Sequence, residues 1–185
     1  MDYAPALDRR ALLTGSALLA TSVTAPPLAA SKAAGSGDFA LQDGRWTVHH
    51  RKLRKRLAGS GDWFEFGGTC TAGPLMGGLA GYEDNVLNDL GGTYRAEGLR
   101  RFDPHNRLWS IWWWDERFSE IEPPVSGRFV DGVGIFFGDS LWDGKPVRVR
   151  FIWDHAAPGV PRWQQAFSAD NGATWETNWF MEFRR

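Results

Sequence analysis

One cysteine among 185 residues sets the first limit on this chain. Cys70 alone forms neither an intramolecular disulfide nor a cysteine-based zinc cage, so stability has to come from packing. Neither sign of charge is in excess, with 21 Lys and Arg against 22 Asp and Glu. That balance argues against nucleic acid as a partner, because phosphate binding needs a concentrated positive field. Past the N-terminal segment no apolar run reaches the roughly 18 residues of a spanning helix. From Gly44 onward there is no amphipathic helical run, no Gly-x-Ser-x-Gly elbow and no phosphate-binding loop between a strand and a helix. Hydrolase and nucleotide chemistry therefore have no positive motif. What the chain does have is rings: 11 Trp and 12 Phe.

Residues 1–33 differ in kind from the rest. Asp8-Arg9-Arg10-Ala11-Leu12-Leu13 is followed by an Ala, Leu, Ser and Thr run to Val23 and then by Ala25-Pro26-Pro27-Leu28-Ala29-Ala30. A charged start, an apolar middle and small residues before a break are the plan of a secretory signal. The adjacent arginines resemble a twin-arginine signal, with cleavage after Ala30 or Ala33. This implies the twin-arginine export machinery as a transient partner and a periplasmic or secreted destination. Residues 34–43 then form a lead segment and 44–185 a single domain.

The domain reads as consecutive strands. Turn signals recur at short intervals between β-branched and aromatic stretches, the pattern of a sandwich or barrel. Asp131-Gly132 and Asp143-Gly144 each suit a two-residue hairpin turn, which needs positive φ. Asp103-Pro104-His105-Asn106 and Asp170-Asn171-Gly172 supply two further turns of the expected chemistry. With strands beginning at Trp46, Trp63 and Tyr82, the first of them running to Leu57, the count is about ten, all antiparallel. The fold class is all-β, a single antiparallel up-and-down barrel with little helix.

Alternation then assigns faces. Trp175, Thr177, Trp179, Met181 and Phe183 share one face of the last strand, and Val147, Val149, Phe151 and Trp153 share one face of an earlier one. In the central strand, Trp112 and Trp114 alternate with Trp109, Ile111 and Trp113, leaving large apolar groups on both sides. A barrel of about ten strands is wider than the roughly eight that side chains fill by themselves. This predicts a cavity walled by Trp112, Trp114, Trp175 and Trp179, whose rings suit an apolar or aromatic ligand.

Gly44-Arg45-Trp46 at the mouth of the first strand resembles the opening motif of the lipocalin and calycin barrels. That resemblance implies that Trp46 plugs one end and that Arg184 or Arg185 packs across it. Gly-Arg-Trp-Thr-Val, Trp-Ser-Ile-Trp-Trp-Trp-Asp and Asn-Gly-Ala-Thr-Trp-Glu-Thr-Asn-Trp also resemble an uncharacterised family of exported bacterial domains near these barrels. About ten strands is closer to the fatty-acid-binding or haem-binding calycins than to eight-stranded lipocalins.

Few polar residues stand out as chemistry. His50 shares the face of Trp46 and Val48 and so points inward, where imidazole suits a haem ligand or a general base. The plainer reading is a hydrogen-bonded structural histidine. Asn85, Arg95, Arg150 and Asn178 lie in aromatic strands, where any inward polar group needs a partner, whether protein, water or ligand. The basic run His49 to Arg56 reads as a solvated edge that discourages strand pairing, with envelope contact as its functional alternative. Together these features predict an exported binder of a small hydrophobic or aromatic molecule that needs no cofactor, with haem as the alternative group. A barrel enzyme and a filled structural barrel are the competing readings.

Overall fold

The computed structural model describes residues 35–185; the predicted signal segment and its cleavage sites lie outside the described residues. Ten strands follow in chain order: β1 (Gly44–Leu53), β2 (Trp63–Leu75), β3 (Ala80–Asp89), β4 (Gly92–Asp103), β5 (Leu108–Asp115), β6 (Val125–Val130), β7 (Val133–Trp142), β8 (Lys145–Ala157), β9 (Val160–Ser168) and β10 (Glu176–Arg184). Each pairs antiparallel with its chain neighbours, and β1 closes on β10. The result is an up-and-down barrel with no free sheet edge. Two three-residue 3₁₀ turns, Ala40–Gln42 and Met76–Gly78, are the helical elements of the described residues.

The turns form where their chemistry asks for them. Asp131 and Gly132 sit at φ 50° and 83° between the paired Val130 and Val133, and Asp143 and Gly144 at φ 51° and 70° between Trp142 and Lys145. Positive φ at both central residues matches the right-handed twist of the flanking strands. The Asp103 carboxylate accepts the His105 N–H at 2.9 Å, and Asp170 accepts both the Thr174 N–H at 2.9 Å and its hydroxyl at 2.6 Å. β1 ends at Leu53 rather than Leu57, where its ladder with β2 stops at the Leu53–Trp63 pair, and Leu57, at φ 56°, lies in the loop that joins the two strands.

The end where β1 starts and β10 finishes is sealed by the lead segment. Phe39 inserts among Trp109, Phe129, Trp153 and Phe136, with ring centroids 4.9, 5.0, 5.8 and 6.1 Å away. Trp46 lies beside this plug, its indole N–H donating to the Gln42 carbonyl at 2.7 Å. The Arg185 guanidinium covers the Trp46 ring at 4.5 Å and donates to the Asp43 carbonyl at 3.4 Å. So the arginine crosses Trp46 as the opening motif implies, while the ring that fills the opening is Phe39.

Further along the axis, indole and phenyl rings meet edge to face. Phe151 touches Trp163 at 4.9 Å, Trp163 touches Trp179 at 5.3 Å, and Trp179 touches Trp113 at 5.9 Å. Such pairs contribute on the order of 1 kcal/mol each beyond the area they bury. Of the rings expected to wall a space, Trp179 is thus packed between Trp163 and Trp113. Two cavities, of about 180 and 20 Å³, lie against Phe39 at the sealed end.

Candidate functional site

The structure divides the predicted wall tryptophans. In β5 the alternation holds but the inner set is Trp109, Ile111, Trp113 and Asp115, so Trp112 and Trp114 stand on the outer face opposite Leu99 and Glu97. Two observations fix the sign: Trp109 donates its N–H to Asp38 of the lead segment, and Ser110 pairs with Ser126 on the exposed face. In β10 a bulge at Asn178 breaks the period of two, and the register against β9 slips between Thr177 and Trp179. One extra residue reverses every face before it. Trp179, Met181 and Phe183 therefore face inward as predicted, and Trp175 is outside, packed on Phe137 with Arg150 stacked over it at 4.7 Å.

Arg150 and Arg95 are outer-face residues too. Arg95 forks onto both carboxylate oxygens of Asp84 at 2.6 and 2.5 Å in an exposed ion pair, which rarely contributes more than about 1 kcal/mol. Asn85 does face the interior, 1% exposed, and neither its carbonyl nor its amide nitrogen has a protein partner among the described residues.

His50 and Trp179 are brought together. The Trp179 indole N–H donates to His50 Nδ1 at 3.2 Å, and the imidazole lies flat on Phe66 at 4.5 Å. Because Nδ1 accepts, the neutral ring carries its proton on Nε2, and that nitrogen faces Gly68 in the barrel wall. A Cβ at Gly68 would lie 2.9 Å from His50 Nε2 and 2.5 Å from the Val86 carbonyl oxygen, so glycine is required there. Burial, then the charge of Lys52, then His49 push the imidazole down to about 3. A ring whose one lone pair is taken and whose N–H faces the wall serves as neither base nor haem ligand. The residues around His50 do not fit a haem.

The polar chemistry collects at the opposite end, where β1 finishes and β10 begins. Lys52 follows His50 on the inner face of β1, its ammonium 4.2 Å above the Trp179 ring and 3.7 Å from the Asp89 carboxylate. The side chain is 12% exposed. Burial dominates its environment and, with Arg56 and Arg117 nearby, outweighs Asp89 and Asp115 to lower it to about 8. Arg56 bends inward from the β1–β2 loop and stacks over Trp142 at 4.6 Å and Phe167 at 5.4 Å. Burial brings it to about 10 against the attraction of Tyr94, Glu122 and Glu176. Arg117 grips Asp115 with two hydrogen bonds, 3.0 and 2.9 Å, and lies 3.5 Å over Tyr94.

Two groups in this cluster are left unsatisfied. The Tyr94 hydroxyl and the Asn178 amide nitrogen are buried without a protein partner, though Asn178 Oδ1 accepts from Gln165 Nε2 at 2.8 Å. The mouth is covered by the same loop that carries Arg56: Leu57 packs against the core, and its N–H donates to Glu176 at 2.5 Å.

Sequence reasoning missed Lys52, Arg56 and Tyr94. The signal for Lys52 was present, since Trp46, Val48, His50 and Lys52 are spaced by two, but a run of basic residues reads as solvated. Arg56 carries no such signal, because its direction depends on the left-handed turn at Leu57. No known protein-family model matches the chain, and neither does any curated protein.

Proposed function

We propose that this protein is an exported binder of a small apolar or aromatic molecule bearing an acidic group, received at the end of the barrel where Lys52 lies, under the Leu57 loop. The observation that carries the reading is the pair of buried, partnerless groups, the Tyr94 hydroxyl and the Asn178 amide nitrogen, set at the same end as the Lys52 ammonium over the Trp179 ring. A buried polar atom without a partner costs roughly 1–3 kcal/mol, which a ligand or trapped water recovers. Lys52 makes a ligand the better partner, because an anion beside it would offset the desolvation of the ammonium. The apolar part of the ligand would lie on Trp113 and Trp179 after displacement of Leu57. Export follows the N-terminal pattern.

Native mass spectrometry of protein purified from its own periplasm tests this. A stoichiometric small acid retained by the wild type and lost in Lys52→Met supports the reading. Protein that stays empty after incubation with a native lipid extract sinks it.

A barrel enzyme is the second reading, and Lys52 favours it over His50. An amine near pKa 8 is partly unprotonated at neutral pH and can serve as base or nucleophile. Trapping with borohydride separates the two: a carbonyl substrate would become covalently fixed to Lys52, whereas a bound acid would not.

A further inference from the structure

The outer face of β6, β7 and β8 carries an apolar strip that the barrel core does not use. Alternation puts Val133, Ile135 and Phe137 on that face of β7, Val130 on β6 and Ile152 on β8. The register joins them, with Val133 opposite Val130 and Ile135 opposite Ile152. Val130, Val133, Ile135 and Phe137 are each 39 to 49% exposed. Single exposed apolar residues need no explanation, whereas a contiguous set marks a surface that meets something.

Arginines frame the strip. Arg128 stands beside Ile135, Arg150 beside Phe137, and Arg148 opposite Asp139. The Arg150 guanidinium lies 4.7 Å over the Trp175 ring and that of Arg148 5.9 Å over Phe137. Among the described residues neither Arg128 nor Arg150 makes an ion pair, and Arg148 has the exposed Asp139 at 3.5 Å. Partial burial disfavours the charge of Arg150, with no carboxylate to offset it. Asp131 and Asp143 belong to the turns at the two ends of β7, and Asp154 is taken up by Arg162. With that pair set aside, the face holds three guanidinium groups to the one carboxylate of Asp139. The basic run of β1 offers no such surface: Arg51 lies against Trp63 and Phe180, Lys52 and Arg56 turn inward, and Arg54 meets Asp62.

This mixture narrows what can cover the face. A soluble polyanion has no use for Ile135 and Phe137, and a neutral apolar surface would desolvate the arginines without return. A bilayer with anionic headgroups meets both needs, with phosphates beside the guanidinium groups and acyl chains beneath the apolar tips. We infer that the outer face of β6–β8 docks on an anionic lipid bilayer, with β7 along the membrane surface, Ile135 and Phe137 at the acyl boundary and Arg128, Arg148 and Arg150 on phosphates. This contact is independent of whether the Lys52 end binds an acid.

Co-sedimentation of the full chain with vesicles tests the docking. The wild type is expected to bind mixed phosphatidylglycerol and phosphatidylethanolamine vesicles, more weakly as salt rises, and to bind pure phosphatidylcholine about tenfold less. Ile135→Ser should weaken binding roughly tenfold through the lost apolar side chain, and Arg128→Gln about fivefold through the lost charge. Both positions are exposed, so the circular dichroism should not change. The N-terminal segment is the same in every variant, and the differences therefore report on the barrel face. Arg51→Gln, an equal loss of charge within the basic run, should leave binding as it is. Equal losses in Arg51→Gln and Arg128→Gln would overturn the assignment, because general charge would then explain the contact. Unchanged binding in Ile135→Ser would overturn it too, as would polyglutamate held as tightly as vesicles, which would make the partner an acidic protein. A wild-type dimer in size-exclusion chromatography, split by Ile135→Ser, would show that a second copy covers the face instead.

Discussion

His50 shows how one buried side chain ties packing to pH. Its folded value of about 3 lies below the ordinary 6.5 chiefly because burial disfavours the charged ring, with Lys52 on the same face and then His49 adding to it. The unfolded chain therefore binds a proton below pH 6.5 that the native ring refuses, and stability is lost as pH falls from 6.5 toward 3. At pH 4 the loss from this group is about 3 kcal/mol. Urea unfolding at pH 7 and pH 4 should show that increment in the wild type and not in His50→Leu, which gives up pH dependence but leaves the Trp179 N–H unpaired. Equal pH dependence in the two proteins would show that His50 is not held neutral. Gly68→Ala presses on the same ring and on the Val86 carbonyl. Its expected cost is about 2 kcal/mol, in the range of overpacked cores, read as a lower urea midpoint at unchanged slope.

At the scale of elements, β10 rests on one inserted residue. Asn178 absorbs the register slip against β9 and turns Trp175 outward while Trp179 stays in. Asn178→Ala removes the hydrogen bond from Gln165 and is expected to cost roughly 1–2 kcal/mol. Deleting Asn178 leaves Thr177 and Trp179 on their present, consecutive partners Ala166 and Gln165, so Trp175 and Thr177 stay outside and the cost is expected to be close to that of Asn178→Ala. Retention of the near-ultraviolet circular dichroism of the packed tryptophans in both variants is the outcome that supports this. Its loss in the deletion alone would show that the packing needs the bulge itself. The same element marks where reading from sequence stops. Strand count, turn positions and the β8 inner face are legible because Asp-Gly turns and a period of two are local. A bulge is set by pairing with a neighbour, so nothing in Thr177-Asn178-Trp179 announces it. β5 fails differently: its alternation is legible but its sign is not, since Trp stands on both faces and the inner set ends in Asp115.

Across the whole molecule the barrel has two unlike ends. One is sealed by rings around Phe39, where Phe39→Ala should cost about 3–5 kcal/mol by the usual scale for large aromatic truncations, measured as a fall in the urea midpoint. The other gathers Lys52, Arg56 and Arg117 with Asp89, Asp115, Glu122 and Glu176 under the Leu57 loop. Lys52 reports on the electrostatics of the charged end. Its folded value of about 8 lies below the ordinary 10.5. Between those values the unfolded chain carries a proton that the native amine has released, so stability rises with pH across that window. Below pH 8 both states are protonated and the penalty of the buried charge is constant. Relative to Lys52→Met, the wild type should therefore gain about 3 kcal/mol between pH 8 and pH 10.5. Arg56, Arg117, Asp89 and Asp115 face Lys52 and are present in both proteins, so the difference isolates the lysine. A bound acid reverses the sign of this behaviour, because it favours the ammonium. Binding of 1-naphthoate, an aromatic carboxylate, should weaken as pH rises through 8 and should be flat in Lys52→Met. If naphthoate binds the two proteins with the same pH profile, Lys52 is a tolerated buried charge and the Lys52 end is not a site for acids.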